Sequence, residues 1–186
     1  INNENRVQKI IIKAIKNNIN IYCIHTNLDN NLNGVNFKIC QKLKIKNLNF
    51  LIPNKLNESI GMGMYGNLEN SYNENDFINY IKKQMDIKYI RHSKILNKKI
   101  EKVAVLGGAG SFGINNAIEK KIDCYITSDL KYHDFFKANN KILLLDIGHY
   151  ESEKFTKELI YNYLLKKIPK FACIIANTNT NPVNYY

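Results

Sequence analysis

The sequence predicts an α/β fold in which a largely parallel sheet is flanked by helices and arranged as two similar α/β halves. Apolar residues at helical spacing alternate with short apolar runs along most of the 186 residues. Residues 143–145 are apolar at every position, which is typical of a strand covered on both faces. Glycine-rich and capping sequences separate these segments, as expected for turns between strands and helices.

Each predicted element rests on the spacing of its apolar residues. In the first part of the chain we expect helices over residues 6–17, 34–43 and 73–85, and strands over 19–26 and 48–52. Ser71 and Glu74 predict a capping box for the third helix. The second part predicts strands over 103–106, 124–127, 142–147 and 171–176, and helices over 111–121, 132–138 and 152–166. The predicted division is a shortened N-terminal half, residues 1–53, and a C-terminal half, residues 54–186.

The composition limits the classes of function that this chain can have. The formal net charge is +11, but it comes almost entirely from Lys, with only Arg6 and Arg91 to make forked contacts. Lys, Asn and Ile are abundant together, as in proteins encoded by AT-rich DNA, and no dense basic block is interleaved with aromatic residues. We therefore expect no nucleic-acid partner, although a basic nucleic-acid binder stays a minor alternative.

Cysteine usage and hydropathy indicate a compartment. The four cysteines are far apart and form no C-x-x-C pair, and three of them are in or beside apolar runs. That distribution is typical of small core residues in a reducing compartment. The sequence contains no apolar run of membrane-spanning length and no visible signal peptide. It therefore predicts a cytoplasmic protein with no membrane partner.

The first candidate site lies where an apolar strand runs into His149 and Glu153. If a helix begins there, this i,i+4 spacing places both side chains on one face, about one turn apart. An imidazole and a carboxylate side by side are suitable ligands for a divalent transition metal. His25 and Asp29 follow an earlier predicted strand in an equivalent place. Two such strand ends in one small α/β chain predict a metal site.

Other polar residues are expected at the same edge of the sheet, where ligands gather in α/β folds. Asp129 and His133 follow the strand at 124–127, and either could support the metal ligands, as could His25. Asp29 and Asp129 could also simply cap the helices that follow them. The glycine-rich turn could present backbone N–H groups to a phosphate or could serve only close packing, and both interpretations stay open. Its candidate phosphate-binding residues are Gly107, Gly108, Gly110 and Ser111.

Several of these motifs, taken in order, resemble a known family. The similarity covers nearly the whole chain and is to the Nif-three-like dinuclear metal-centre proteins, often named GTP cyclohydrolase 1 type 2 homologs. The motifs that carry it are His25-Thr-Asn-Leu-Asp29 with Gly34-Val-Asn36, the run from Val103 to Ser111, Ile126-Thr-Ser-Asp129-Leu-Lys-Tyr-His133, Asp146-Ile-Gly-His149-Tyr-Glu-Ser-Glu153 and Asn179-Thr-Asn-Pro182.

The resemblance implies a Nif-three-like fold, a metal centre and a ring assembly. Family members form toroidal homohexamers whose complete subunits hold two divalent ions, Zn, Mn or Fe, in an internal α/β cleft. By the same resemblance the metal ligands here are Asp29, His149 and Glu153. The implied activity is metal-dependent hydrolysis of a nucleotide-like substrate, such as opening of the purine ring of a GTP-like molecule.

The chain also departs from that family. The remaining family ligands come from a His-His-Pro motif upstream of the helix at residues 6–17, and this sequence does not contain it. Many relatives insert a separate lobe near Pro53, where this chain continues directly. We therefore expect an N-terminally truncated, compact version whose three ligands hold one ion better than two. The alternatives are a non-enzymatic metal-binding ring or scaffold subunit, or a degenerate remnant with an incomplete metal site.

Overall fold

A six-stranded sheet forms the centre of the molecule. The computed structural model describes residues 2–186. The strands are β1 (Lys46–Pro53), β2 (Gly61–Asn73), β3 (Arg91–His92), β4 (Lys99–Ala109), β5 (Cys124–Ser128) and β6 (Leu143–Asp146). Their order in the sheet is β1-β2-β4-β5-β6-β3. The predicted α/β class is confirmed.

The sheet is mixed, so the predicted parallel pairing holds only for its central strands. β4, β5 and β6 run parallel to one another. β1 pairs antiparallel with β2, β2 with β4, and β3 with β6. The short connection over residues 54–60 explains the first of these pairings, because a connection of that length can join antiparallel neighbours but not parallel ones.

Helices cover both faces of the sheet. The α-helices are α1 (Arg6–Lys16), α2 (His25–Asp29), α3 (Val35–Lys42), α4 (Glu74–Met85), α5 (Ile114–Glu119), α6 (His149–Glu153) and α7 (Thr156–Lys167), and two 3₁₀ segments span Ser111–Gly113 and Tyr132–Ala138. Buried side chains of α3 and α4 belong to one apolar cluster, whereas those of α5 and the second 3₁₀ segment belong to another.

The side chains of β4 point alternately to the two faces of the sheet and so contribute to both apolar clusters. Val103 and Val105 face α3 and α4, whereas Ala104 and Leu106 face the opposite side, and all four are at most 2% exposed. Successive strand residues point to opposite faces, so a strand that is apolar at every position must be covered on both sides. This burial fixes β4 in the sheet and brings its carboxyl end to the polar edge described below.

Helix α4 begins at its predicted place but with a different cap. The Asn73 side chain accepts a hydrogen bond from the N–H of Asp76 at 2.9 Å, so Asn73 is the N-cap and the predicted Ser71–Glu74 box does not form. Glu74 is buried instead, and its carboxylate accepts bonds from the N–H groups of Leu96 and Asn97. The carboxylate thereby ties the helix start to the segment that precedes β4.

Several predicted elements differ from those observed. The predicted strand over 19–26 is wrong: residues 19–24 form no strand and residues 25–29 form α2, so His25 and Asp29 do not lie at a strand end. Within residues 2–186, the stretch 171–176 also forms no strand. Neither stretch finds a ladder partner, and most of their side chains stay exposed. The predicted tight turn at 107–111 begins later, since β4 continues to Ala109. The predicted helix over 152–166 is divided into α6 and α7. Across residues 2–186, no helix combines the length and hydropathy needed to cross a membrane.

Candidate functional site

Two strand ends place Asp129 and His149 in the site. Asp129 follows β5 with a left-handed backbone (φ 56°), and Gly148 follows β6 with φ 89°. These two bends turn the chain sharply out of the sheet at neighbouring positions. His149 then opens α6, so the His149 and Glu153 side chains share one face of a short helix, as predicted.

The His149 ring is held between two carboxylates. Its Nδ1 lies 2.6 Å from Oδ2 of Asp129, and its Nε2 lies 3.5 Å from Oε2 of Glu153. An ionised carboxylate can only accept, so Nδ1 carries the proton of that short bond. In the neutral ring, Nε2 then carries the lone pair, and this nitrogen lies beside Glu153. Asp129 therefore contacts a predicted metal ligand, in the place expected of a supporting residue.

Charge and burial shift the pKa values of this cluster. Partial burial lowers the pKa of His149, but the hydrogen bond to Asp129 and the charge of Glu153 outweigh it and raise the pKa above 6.5. Burial raises the pKa of Asp29 above 3.8, and the charges of His25 and His149 oppose that rise. Burial likewise raises the pKa of Glu153 above 4.5, with Asp29 adding to the rise. These five side chains form one electrostatically coupled cluster.

Gly108 leaves the space in which His149 and Glu153 meet. Its φ is +69°, and an added Cβ would lie 2.6 Å from Oε1 of Glu153 and 3.5 Å from Nε2 of His149. A side chain at this position would therefore be strained by the backbone, would collide with the Glu153 carboxylate and would touch the His149 ring. The glycine keeps the donor side of the ring and the carboxylate clear.

The donor set fits a divalent transition ion in chemistry but not in number. His149 and Glu153 offer an imidazole nitrogen and a carboxylate oxygen, the ligand types that Zn²⁺ and similar ions take. Within residues 2–186, no three His, Cys, Asp or Glu side chains are grouped closely enough to hold an ion. Asp29 is coupled to the pair by charge. The three-ligand site thus stays a prediction, with two of its donors side by side.

The other predicted residues have definite surroundings. His25 has a φ of 29° and makes a 3.4 Å contact between its Nδ1 and Oγ1 of Thr26. His133 packs edge-on against Tyr132 with ring centroids 5.3 Å apart, and no direct contact with His149 is found for it among the described residues.

The glycine segment is largely engaged by the protein itself. The N–H groups of Gly107 and Gly108 donate to side chains of the same chain. The carbonyl of Gly110 accepts the Tyr125 hydroxyl at 2.8 Å, and Ser111 opens a 3₁₀ segment. A phosphate role for Gly107, Gly108, Gly110 and Ser111 stays a prediction, and for the first two it would require displacement of existing bonds.

A cavity of about 900 Å³ opens beside the His149 ring. Its walls include the donors His149 and Glu153 and residues of the C-terminal segment. At one side Tyr89 stacks on Tyr185 with centroids 5.3 Å apart. Nearby, Arg91 pairs with the buried Asp146 and donates to the carbonyl of Leu130 at 2.8 Å.

Sequence reasoning missed several residues of this region. Arg91 received no role, and the Tyr89–Tyr185 pair joins residues too far apart in the chain to be matched by spacing. Asn36 and Ser152, both 2% exposed, lie beneath the site and bond the glycine segment. A signal was available for Asn36, which lies between the apolar Val35 and Phe37 in a predicted helix, but not for Ser152, which lies between two glutamates.

Comparisons with known proteins agree with this architecture. A Staphylococcus aureus hypothetical protein of known structure superposes with a TM-score of 0.89 at 26% identity, covering 98% of this chain and 74% of that one. A Bacillus cereus protein related to NIF3 superposes with a TM-score of 0.90 at 22% identity, covering 100% of this chain and 79% of that one, and shows the shared fold.

Sequence relatives carry one printed name, "GTP cyclohydrolase 1 type 2 homolog". The protein from Clostridium acetobutylicum is 34% identical over 149 residues, which are 78% of this chain and 55% of that protein. The protein from Campylobacter jejuni is 29% identical over 177 residues, 95% of this chain and 66% of that protein. The chain spans 38–55% of the length of the first curated relatives it matches. The family model for Duf34/NIF3 (NGG1p interacting factor 3) matches residues 1–182, and the chain therefore belongs to the Duf34/NIF3 family.

Proposed function

We propose that this chain binds divalent transition metal ions at His149, Glu153 and Asp29, and serves as a metal-dependent hydrolase of nucleotide-like substrates. The observation that carries the proposal is the orientation of His149. Asp129 accepts the bond from Nδ1, which leaves Nε2 beside Oε2 of Glu153 as a second donor 3.5 Å away. A ring oriented by a carboxylate with its other nitrogen free is the usual arrangement of a metal-binding histidine.

The electrostatics of the cluster support the same proposal. Burial is the main cause of the raised pKa of Glu153, and the charge of His149 opposes the rise. The charges of Asp29 and Asp129 add to it, which means that the carboxylates repel one another when all are ionised. A cation between them would relieve that repulsion. The family resemblance implies two ions, Zn, Mn or Fe, per complete subunit, whereas the donors described here suit one ion better than two.

The residues around the cluster define the chemistry that the chain itself can supply. When bound, a divalent ion would supply Lewis acidity for hydrolysis. Asp129 fixes the tautomer of His149, and Gly108 keeps the donor atoms free of side-chain contact. The adjoining cavity of about 900 Å³ is large enough for a nucleotide-sized molecule. The nucleotide-like substrate is proposed from the printed name of the relatives.

Metal titration tests the proposal directly. The protein is purified anaerobically, stripped with a chelator and titrated with Co²⁺ and Zn²⁺, with metal content measured by mass spectrometry. We expect stoichiometric binding that His149→Ala and Glu153→Gln greatly weaken. His92→Ala is the matched control, because its ring bonds the carbonyl of Ser93 at 2.8 Å, away from the cluster. Binding that is absent, or unchanged in the two site variants, would exclude this metal site.

A second candidate function is a metal-binding ring or scaffold subunit without turnover. The lack of a three-donor group among residues 2–186 favours it, because a pair of donors can bind an ion without completing a hydrolytic centre. We also propose the homohexamer that the family resemblance implies. Light scattering and a panel of nucleotides and phosphoesters separate the two functions. A hexamer that binds metal but hydrolyses none of the panel would favour the scaffold.

A further inference from the structure

Gly107 and Gly108 lie between the segments that carry the proposed metal ligands. The N–H of Gly107 donates to Oδ1 of Asn36 at 2.9 Å, and the N–H of Gly108 donates to Oγ of Ser152 at 2.9 Å. Both accepting side chains are 2% exposed. Such bonds are made away from water, where losing one partner leaves a buried polar group unsatisfied.

Each accepting side chain also bonds the backbone of a proposed ligand. Nδ2 of Asn36 donates to the carbonyl of Asp29 at 3.1 Å. Oγ of Ser152 donates to the carbonyl of His149 at 2.8 Å. Asn36 and Ser152 are therefore two-ended links, each running from one glycine to the residue that carries one donor.

A third link runs from the same glycines to Asp129. The carbonyl of Gly108 accepts the hydroxyls of Ser128 at 2.6 Å and Thr127 at 3.2 Å. These two residues end β5 and directly precede Asp129, which holds the His149 ring. The glycine pair thus contacts all three segments from which the cluster is built.

Short distances from the backbone of residues 107 and 108 to neighbouring side chains explain why both positions are glycine. A Cβ on Gly107 would lie 3.0 Å from Cγ1 of Val35, and one on Gly108 would lie 2.6 Å from Oε1 of Glu153. A side chain at Gly107 would press on Val35 of α3, and one at Gly108 would displace the carboxylate of Glu153. Either change would disturb the neighbouring hydrogen bonds that the two glycine N–H groups donate to Asn36 and Ser152.

We propose that Gly107, Gly108, Asn36 and Ser152 form a positioning bracket that sets the distance of Asp29 from the His149–Glu153 pair. The proposal rests on the metal-binding function proposed above. None of the four residues is a proposed metal ligand. Asn36 and Ser152 act through the backbone of Asp29 and His149, so their loss should weaken metal binding while leaving every donor in the sequence.

Alanine variants with a matched control test the bracket. Asn36→Ala and Ser152→Ala each remove one link. Ser93→Ala is the control, because Ser93 is also buried and its Oγ accepts the N–H of Leu144 at 2.9 Å, remote from the donors. We expect Zn²⁺ and Co²⁺ affinity to fall by about 10–100-fold in the two bracket variants, the usual effect of removing outer partners of metal ligands. Ser93→Ala should lower stability without changing affinity.

Conservative variants provide a second test and can replace an alanine variant that does not fold. Ser152→Thr keeps the hydroxyl, so we expect it to restore most of the affinity lost in Ser152→Ala. If either alanine variant fails to fold, Asn36→Ser and Ser152→Cys are titrated in its place, with a smaller expected loss. Amide hydrogen exchange should show faster exchange at Gly107 in the Asn36 variant and at Gly108 in the Ser152 variant.

Metal-free NMR separates failure of the bracket from failure of the proposed function. If the wild-type protein binds no metal, the metal-binding proposal fails, but the bracket can still be judged. We then expect shifted ring signals of His149 in Ser152→Ala and a shifted carboxyl signal of Asp29 in Asn36→Ala, with neither moved in Ser93→Ala. The bracket is wrong if those signals stay in place and metal affinity, where measurable, equals that of Ser93→Ala.

Discussion

Oδ2 of Asp129 and Nδ1 of His149 lie 2.6 Å apart across the ends of two parallel strands. Register brings the two segments together, because Thr127 is paired with Asp146 in the sheet, and Asp129 and His149 follow within three positions, beside the bends at Asp129 and Gly148. The contact decides which ring nitrogen carries the proton. It therefore decides which nitrogen can act as a metal ligand.

Replacing Asp129 by Asn should weaken metal binding and lower the pKa of His149. The hydrogen bond and the charge of Asp129 both raise that pKa. Asparagine removes the charge and keeps only a weaker acceptor, so burial, which lowers the pKa, is opposed less strongly. We expect a loss of about 10–100-fold in Zn²⁺ affinity. NMR titration of the ring and metal titration measure the two effects. Asp134→Asn is the control, since Asp134 is paired with Lys137 in the 3₁₀ segment. Equal effects from both variants would contradict the prediction.

Stability of the metal-free protein should carry a pH dependence from the cluster. The folded pKa values of Asp29, Glu153 and His149 are all raised, so the folded state binds their protons more tightly. These groups stabilise the folded protein fully when the pH is below their pKa values in the unfolded chain. That stabilisation is lost as the pH rises through their higher pKa values in the folded protein.

We therefore expect these groups to make the free energy of unfolding fall as pH rises from about 4 to 7. Asp134, whose pKa is lowered by its bond with Lys137, contributes in the opposite direction. Comparison with Glu153→Gln isolates the cluster. Urea unfolding should give a shallower decline in that variant, and an identical pH profile would count against the assignment.

Gly108→Ala should lower both stability and metal affinity. The backbone is left-handed at this position, and the new Cβ would lie 2.6 Å from Oε1 of Glu153. We expect a loss of about 1–3 kcal/mol in the free energy of unfolding. Gly63→Ala is the control, because Gly63 has a φ of +65° and its Cβ would meet the carbonyl of Val105 in the sheet. That variant should lose stability but keep its metal affinity.

Asp146→Ala should destabilise the protein more than Arg91→Ala. Asp146 is 4% exposed and accepts bonds from the N–H groups of Leu130 and Gly148 as well as from Arg91. Its removal leaves buried donors unsatisfied, at about 1–3 kcal/mol each. Removal of Arg91 leaves the carboxylate with two partners. Chemical denaturation of both variants measures the loss in the free energy of unfolding. A larger loss in Arg91→Ala than in Asp146→Ala would contradict the prediction.

Local patterns predicted the central elements well. The apolar runs at residues 103–106 and 143–145 predicted strands covered on both faces, and the structure confirms this. The helical spacing of α1, α3 and α4 was also correct. The His149–Glu153 spacing also predicted a shared helix face. Each of these signals is contained within a few neighbouring residues, which is why sequence alone could reveal it.

Errors arose where structure depends on a partner elsewhere in the chain. Residues 19–24 and 171–176 have the composition of strands, but a strand needs a neighbour for its backbone groups. Antiparallel pairing of β2 with β4 could not be deduced from periodicity, which is the same in parallel and antiparallel strands. Asn36 and Ser152 were missed because their role depends on contacts with glycines 71 and 44 residues away in sequence.

Those sequence separations have a consequence for the order of events during folding. An unfolded chain must close long loops before Asn36 meets Gly107 or Ser152 meets Gly108, and such non-local contacts form slowly. The unfolded ensemble therefore offers an ion no preformed cluster, and uptake would select the native state and shift the equilibrium towards it by mass action. Metal binding would then follow the completion of folding and would not nucleate it.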